Sequence, residues 1–105
     1  MPQFSVYKNK NPSTRSAYPY LVDIQSDLLR DLKTRVVVPL VKVTALSKKS
    51  IQHLTPIVEV DGQKYLMLMP QLAGVSAKDL GPPVSDVSKH RNVIVGAIDF
   101  LVTGI

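Results

Sequence analysis

The spacing of apolar residues changes once along the chain, and this change restricts the fold more than any other feature. Up to about residue 69, apolar residues alternate with polar ones or form short β-branched runs, which is typical of strands. After Ser85 they recur at helical spacings of three, four and seven, at Val87, Ile94, Ala97, Ile98, Leu101 and Ile105. Strands followed by one helix predict a mainly β fold, an antiparallel sheet or small barrel with a C-terminal α-helix packed on it.

The first half of the chain contains three predicted strands. Phe4 and Val6 alternate with polar neighbours, and the run Tyr20–Gln25 also alternates, so these two segments are predicted to pair as a hairpin. Val36–Val43 is almost continuously β-branched and is predicted to be buried on both faces. Pro39 interrupts it and lacks an N–H donor, so we expect it at a bulge or a sheet edge.

The dipeptide Asp61-Gly62 predicts a second hairpin. It separates the apolar runs Ile57–Val60 and Tyr65–Met69, and both turn positions tolerate a positive φ. Residues 70–83 contain scattered glycines and prolines, so we expect mostly irregular structure with a brief strand near Val75.

The ends of the predicted helices follow from capping chemistry. Ser85 or Ser88 is expected to cap the C-terminal helix, and Gly104 to end it in a left-handed conformation. Residues 46–54 are short and polar-rich, which favours one or two helical turns.

Length and charge limit the classes of function. The 105 residues form one predicted domain, 1–105, and without cysteine there can be no disulfide or thiolate metal site. The net charge of +5 is localised, because residues 1–20 hold three bases and no acid, and residues 41–60 hold three bases and one acid. Such segments suit a polyanionic partner, which could be nucleic acid, a membrane surface or an acidic protein.

No motif for catalysis or cofactor binding is present. His53 and His90 have no second ligand at metal spacing and are interpreted as surface residues, and Glu59 is the only glutamate. The glycines are scattered and form no phosphate-binding loop. We therefore expect a protein without cofactor or enzymatic activity. An RNA-cleaving site made only of Arg, His and Ser or Thr stays open as an alternative.

Aromatic residues lie close to the first basic segment. Tyr7, Tyr18 and Tyr20 could stack on single-stranded RNA, although cross-strand packing is the favoured interpretation. No apolar run approaches the roughly 18 residues that cross a membrane, and the N-terminus lacks the apolar core of a signal peptide. The sequence thus predicts a soluble, cytoplasmic protein without a membrane partner.

Several segments, spread over nearly the whole chain, resemble the CcdB toxins of bacterial toxin–antitoxin modules. They are Gln3-Phe4-Ser5-Val6-Tyr7, Val22-Asp23-Ile24-Gln25-Ser26-Asp27-Leu28-Leu29, Val38-Pro39-Leu40 and the ending Ala97-Ile98-Asp99-Phe100-Leu101-Val102-Thr103-Gly104-Ile105. The resemblance implies a homodimer of SH3-like barrels, each with a C-terminal helix. It also implies a non-enzymatic toxin that binds the A subunit of DNA gyrase and traps gyrase on cleaved DNA, without sequence-specific binding of nucleic acid. The related MazF and Kid toxins share the barrel but cleave mRNA, which gives the alternative function.

The resemblance also assigns binding residues. Those implied to face gyrase are Leu28, Leu29, Asp99, Val102, Thr103, Gly104 and Ile105. Thr103 stands where the best-known plasmid form has a tryptophan that stacks on an arginine of gyrase, Val102 replaces a phenylalanine, and Asp99 replaces an asparagine. The family's antitoxin, similar to CcdA, has an acidic disordered segment, and the basic residues predicted to steer it are Lys8, Lys10, Arg15, Lys48 and Lys49.

Overall fold

The computed structural model describes residues 2–43 and 54–104. Within these ranges, seven strands are followed by one α-helix. The strands are β1 (Ser5–Asn9), β2 (Tyr20–Asp23), β3 (Thr34–Lys42), β4 (Ile57–Val60), β5 (Gln63–Met67), β6 (Ala73–Ser76) and β7 (Leu80–Asp86), and the helix is α1 (Arg91–Thr103). Single 3-10 turns lie at Asp27–Leu29, Met69–Gln71, Ala77–Asp79 and Ser88–His90. The predicted mainly β class with a C-terminal helix is confirmed.

The strands form one curled antiparallel sheet in the order β4-β5-β3-β2-β1-β7. β1 and β2 form the predicted hairpin, with Val6 opposite Val22. The long strand β3 changes partner along its length, since its first half pairs with β6 and its second half with β5. This change of partner curls the sheet into a half-barrel.

The two faces of the sheet have separate cores. Alternation along β3 sends Val38 and Leu40 toward α1, where they pack with Ile94 and Ala97 of the helix. Val37 points to the opposite face and packs in a smaller cluster with Tyr7, Leu21 and Leu80.

The Asp61-Gly62 hairpin is confirmed. The two residues connect β4 and β5 with φ angles of 51° and 80°, both in the left-handed region that a type I′ turn requires. The predicted strand near Val75 also exists, as β6. The helical turns predicted over 46–54 lie almost entirely outside the described residues.

The prediction for Pro39 is wrong. It lies buried in the central strand β3, opposite Leu21 of β2, and not at an edge or bulge. Its carbonyl accepts a hydrogen bond from the Leu68 N–H, and the β5 and β6 pairings end on either side of it. The N–H that Pro39 lacks therefore falls at the point where β3 changes its neighbour from β6 to β5.

The prediction that residues 70–83 are mostly irregular is also wrong, because β7 includes Gly81, Pro82 and Pro83. β7 is an edge strand that pairs only with β1 and has two register shifts, so it does not need a complete set of donors.

Of the two predicted ends of the helix, the N-terminal cap is wrong and the C-terminal one is confirmed. Ser85 and Ser88 do not cap it. The Ser88 N–H instead donates to the Asp86 carboxylate at 2.7 Å, and a 3-10 turn leads into α1. Gly104 ends α1 as predicted, with φ at 74°.

Candidate functional site

A turn after β2 exposes two leucines. Leu28 is 92% exposed and Leu29 is 48% exposed, although leucine is usually buried. The 3-10 turn Asp27–Leu29, hereafter the leucine turn, begins at Ser26, whose hydroxyl accepts a hydrogen bond from the Leu28 N–H at 3.2 Å. The backbone of this turn is thus ordered while its side chains face solvent.

The leucine turn rests on a buried polar network. The Nε of Arg35 donates to the Asp23 carboxylate at 2.7 Å, and both side chains are 0% exposed. Gln25 donates to the Leu29 carbonyl at 3.0 Å, accepts from the Val36 N–H at 3.0 Å, and its own N–H donates to Asp23. A guanidinium nitrogen of Arg35 also reaches the Leu29 carbonyl, at 3.5 Å.

Asp23, Gln25 and Arg35 were not predicted from the sequence as supports of the turn. An available signal was the charge of Arg35 beside a β-branched run, because a charged residue in a buried strand requires a partner. Which carboxylate would pair with it depends on the register of β2 against β3, and this register is known only from the fold.

The leucine turn is also tied to the N-terminal segment. The Gln3 N–H donates to the Asp27 carboxylate at 2.7 Å, and the Gln3 side-chain amide donates to the Ile24 carbonyl at 3.1 Å. The next residue, Phe4, is buried, and its ring lies 5.8 Å from the Arg91 guanidinium at the start of α1.

The C-terminal end of α1 displays a further exposed apolar residue. Val102 is 76% exposed, and Asp99, Thr103 and Gly104 are exposed beside it. The Thr103 hydroxyl donates to the Asp99 carbonyl at 2.6 Å, and the Gly104 N–H donates to the Phe100 carbonyl. Ile105 lies outside the described residues.

The exposed residues of these two segments are anchored separately. The leucine turn is held by Asp23, Gln25 and Arg35. The helix end is held by intrahelical bonds and by the packing of α1 on the turn Met69–Gln71. We call the two groups together the apolar surface. Its exposed apolar side chains are Leu28, Leu29 and Val102, and the exposed residues Asp99, Thr103 and Gly104 flank Val102.

Two of the basic residues of the first segment lie together in the fold. Lys8, Lys10 and Arg15 are all exposed, and the side chains of Lys8 and Lys10 both lie against Gly81 of β7. Lys10 and Arg15 lie in the loop between β1 and β2. Lys48 and Lys49 lie outside the described residues.

Tyr7 and Tyr20 pack within the sheet, as the favoured interpretation predicted, and are not arranged as a platform on which bases could stack. Tyr7 is buried, and the Tyr20 ring meets Tyr65 edge to face, with centroids 5.4 Å apart. Burial, together with the neighbouring Tyr20, raises the pKa of Tyr65 above 10.0.

The described ranges can be compared with the requirements of a metal cluster and of a membrane-spanning helix. Among these residues, no three His, Asp or Glu side chains are grouped so that they could hold a metal ion. Likewise, no helix there is long and apolar enough to cross a membrane. His90 is half-buried rather than on the surface, and its Nε2 is buried without a hydrogen-bond partner in the described chain. His53 lies outside the described residues.

The fold is shared with a solved structure. The chain matches a solved structure described as an endoribonuclease in complex with its cognate antitoxin from a mycobacterial species, with a TM-score of 0.76 and 14% sequence identity. The match covers 97% of this chain and 94% of the other, and at this identity it concerns the fold alone.

The family is identified from the sequence itself. The family model for CcdB protein matches residues 3–104, and the chain belongs to the CcdB family. Membership of this family supports a role as the toxin of a toxin–antitoxin module.

Proposed function

We propose that this protein is a non-enzymatic toxin that binds the A subunit of DNA gyrase and traps gyrase on cleaved DNA, and that an antitoxin neutralises it. The observation that carries the proposal is the apolar surface. Leu28 and Val102 are among the most exposed large apolar side chains of the described residues. Each lies in a position that the family resemblance assigns to gyrase binding.

Exposed apolar side chains on an ordered backbone are suited to binding. Water contact with Leu28 is unfavourable by roughly 1.5–3 kcal/mol if a partner would bury it completely, and for Leu29, which is 48% exposed, by about half as much. Because Asp23, Gln25 and Arg35 hold the turn before binding, little backbone entropy has to be lost on association. This combination supports the leucine turn as an anchor for a protein partner.

We further propose that the active form is a homodimer. Two copies would present two leucine turns and two helix ends to the dimeric gate of gyrase. Thr103 cannot supply the aromatic–guanidinium contact of the family tryptophan, which is worth about 0.5–2 kcal/mol. The leucines and the terminal Gly104-Ile105 would therefore contribute a larger share of the binding.

The test is a DNA cleavage assay with purified components. The protein is incubated with gyrase, plasmid and ATP, and the DNA is examined for double-strand breaks after denaturation. We expect breaks that depend on the protein, and we expect deletion of residues 103–105 to abolish them. Absence of both breaks and complex formation would refute the proposal.

A matched pair of substitutions separates binding from stability. Leu29 and Ile57 are each 48% exposed, but Ile57 lies on the edge strand β4 and outside the apolar surface. Leu29→Ser should weaken gyrase binding by about threefold to tenfold, whereas Ile57→Ser should leave it unchanged. Equal effects of the two substitutions would contradict the assignment of the leucine turn.

The alternative is an mRNA endoribonuclease of the MazF or Kid type, and the fold shared with the mycobacterial endoribonuclease is the observation in its favour. Incubating the protein with RNA in parallel tests it. RNA cleavage that survives deletion of residues 103–105, with no trapped DNA, would favour the nuclease.

A further inference from the structure

A strained turn lies at the start of the chain. Phe4 has a φ of 71°, in the left-handed region that bulky side chains rarely adopt. The Ser5 N–H donates to the Pro2 carbonyl at 3.3 Å, so residues 2–5, hereafter the N-terminal turn, close a β-turn with Phe4 at its third position. Type II turns need a positive φ at this position and usually have glycine there. Phenylalanine thus occupies a position at which the backbone favours glycine.

The surroundings of Phe4 hold it in this conformation. Its ring is buried in the main core with Ile94 of α1 and lies 5.8 Å from the Arg91 guanidinium, within the range of a cation–π contact. Its N–H donates to the Asp23 carbonyl at 2.6 Å, and its carbonyl accepts from the Val87 N–H at 2.9 Å. A strained residue persists only where its surroundings determine its position, and such residues cluster at functional sites.

The N-terminal turn places Gln3 against the leucine turn. The Gln3 N–H donates to the carboxylate of Asp27, the first residue of the leucine turn, and the Gln3 side-chain amide donates to the Ile24 carbonyl just before it. Because Phe4 packs on α1, these bonds join the leucine turn to the start of the helix.

The leucine turn therefore has a support at each end. The buried network bonds to the carbonyl of Leu29, the last residue of the turn, through Gln25 and Arg35. Gln3 bonds to Asp27 at its beginning. Leu28, the most exposed of the leucines, lies between the two supports.

We propose that Gln3 and Phe4 are positioning residues: Phe4 fixes the N-terminal turn on α1, and Gln3 holds the start of the leucine turn in place for a protein partner. The inference rests on the proposed role of the leucine turn in binding gyrase. A purely structural role for these residues would change only the stability of the protein. A positioning role also changes the order of Leu28 and Leu29.

Gln3→Pro is the main test. Proline suits the second position of a type II turn, but it has no N–H and no side-chain amide, so it removes both bonds to the leucine turn and leaves the Phe4 ring in the core. NMR relaxation of the labelled full-length protein should show the backbone order parameters of Leu28 and Leu29 falling from a rigid value of about 0.85 to below about 0.6. Gln3→Ala keeps the N–H and should cause a smaller fall.

Binding to gyrase should follow the order of the turn. Gln3→Pro should weaken binding by about tenfold, because gyrase would then have to order about one further residue of backbone. The control is Val60→Ala, a substitution in the same core on strand β4, which does not pair with β1. It should lower the urea midpoint while leaving gyrase binding and the order of Leu28 and Leu29 unchanged.

Two further variants test the strain at Phe4. Phe4→Gly and Phe4→Ala both remove the ring, and both should loosen the leucine turn because neither fixes the N-terminal turn on α1. Glycine adopts a positive φ without strain, so Phe4→Gly should unfold at a higher urea concentration than Phe4→Ala.

Four results would overturn the proposal: unchanged order parameters of Leu28 and Leu29 in Gln3→Pro, an equal fall in Val60→Ala, a loosened turn that binds gyrase as tightly as the wild type, or a Phe4→Ala protein as stable as Phe4→Gly. If Gln3→Pro does not fold, Asp27→Ala, at an exposed residue, removes the acceptor of the same bond and gives the same comparison. A wild type that does not bind gyrase would refute the proposed function, and the order parameters would still decide whether Gln3 and Phe4 position the turn.

Discussion

Replacing Arg35 by methionine should strongly destabilise the protein, because it leaves the Asp23 carboxylate buried without its ion-pair partner. Both side chains are fully buried, and the pair is joined by a 2.7 Å hydrogen bond. Removal of one partner of such a pair costs about 3–5 kcal/mol. Domains of this size have total stabilities of about 5–15 kcal/mol, so Arg35→Met should remove a large part of the folding free energy.

The assay is urea denaturation at neutral pH, monitored by far-UV circular dichroism. We expect a large fall in the midpoint with an unchanged slope, because the surface exposed on unfolding hardly changes. The double variant Asp23→Leu, Arg35→Met is the control. Replacing a buried pair by apolar residues is often neutral, so the second substitution should restore most of the stability. A single-variant loss below about 1 kcal/mol, or a double variant as unstable as the single one, would refute the reasoning.

The double variant also separates stability from function. It lacks the donor from Arg35 to the Leu29 carbonyl, although the bond from Gln25 remains. If the network positions the leucine turn, the double variant should fold and yet bind gyrase more weakly than the wild type. Unchanged gyrase binding would show that Gln25 suffices to hold the turn.

The remaining predictions concern conformation and pH. Gly104→Ala should lower the free energy of unfolding by about 1–2 kcal/mol, because residue 104 adopts a φ of 74°. Gly96→Ala should raise it by about 0.5–1 kcal/mol, because Gly96 lies inside α1 with open space around it. Thermal denaturation measures both effects, and effects of the same sign would contradict the reasoning. The raised pKa of Tyr65 means that the folded state keeps its proton longer than the unfolded state, so this contribution to stability is complete below about pH 10 and is lost as pH rises through the folded pKa. Tyr65→Phe should reduce the alkaline loss measured by urea denaturation, and an identical pH profile in the variant would exclude Tyr65 as its source.

The wrong predictions about prolines share a physical cause. A proline removes a hydrogen-bond donor, but whether the fold needs that donor depends on the neighbouring strands. Pro39 lies where β3 exchanges β6 for β5, and Pro82 and Pro83 lie in a strand that pairs on one side only. Each proline does lack its donor, but the sequence does not show which strands flank it.

Local patterns in the sequence determined much of the architecture. The period of the apolar residues predicted strands followed by one helix, Asp61-Gly62 predicted its hairpin, and Gly104 predicted the helix end, because each of these depends on contacts within a few residues along the chain. The resemblance to the family added the positions of the apolar surface, but no measure of their exposure.

Only the tertiary structure shows which side chains hold the residues of the apolar surface in place. The pairing of Asp23 with Arg35, and the hydrogen bonds of Asn9 to Thr14 and Tyr18, join residues whose proximity depends on strand register and on the course of the β1–β2 loop. Register and the choice of neighbouring strand are set by contacts between segments far apart in the chain, and such contacts are not encoded in any single segment.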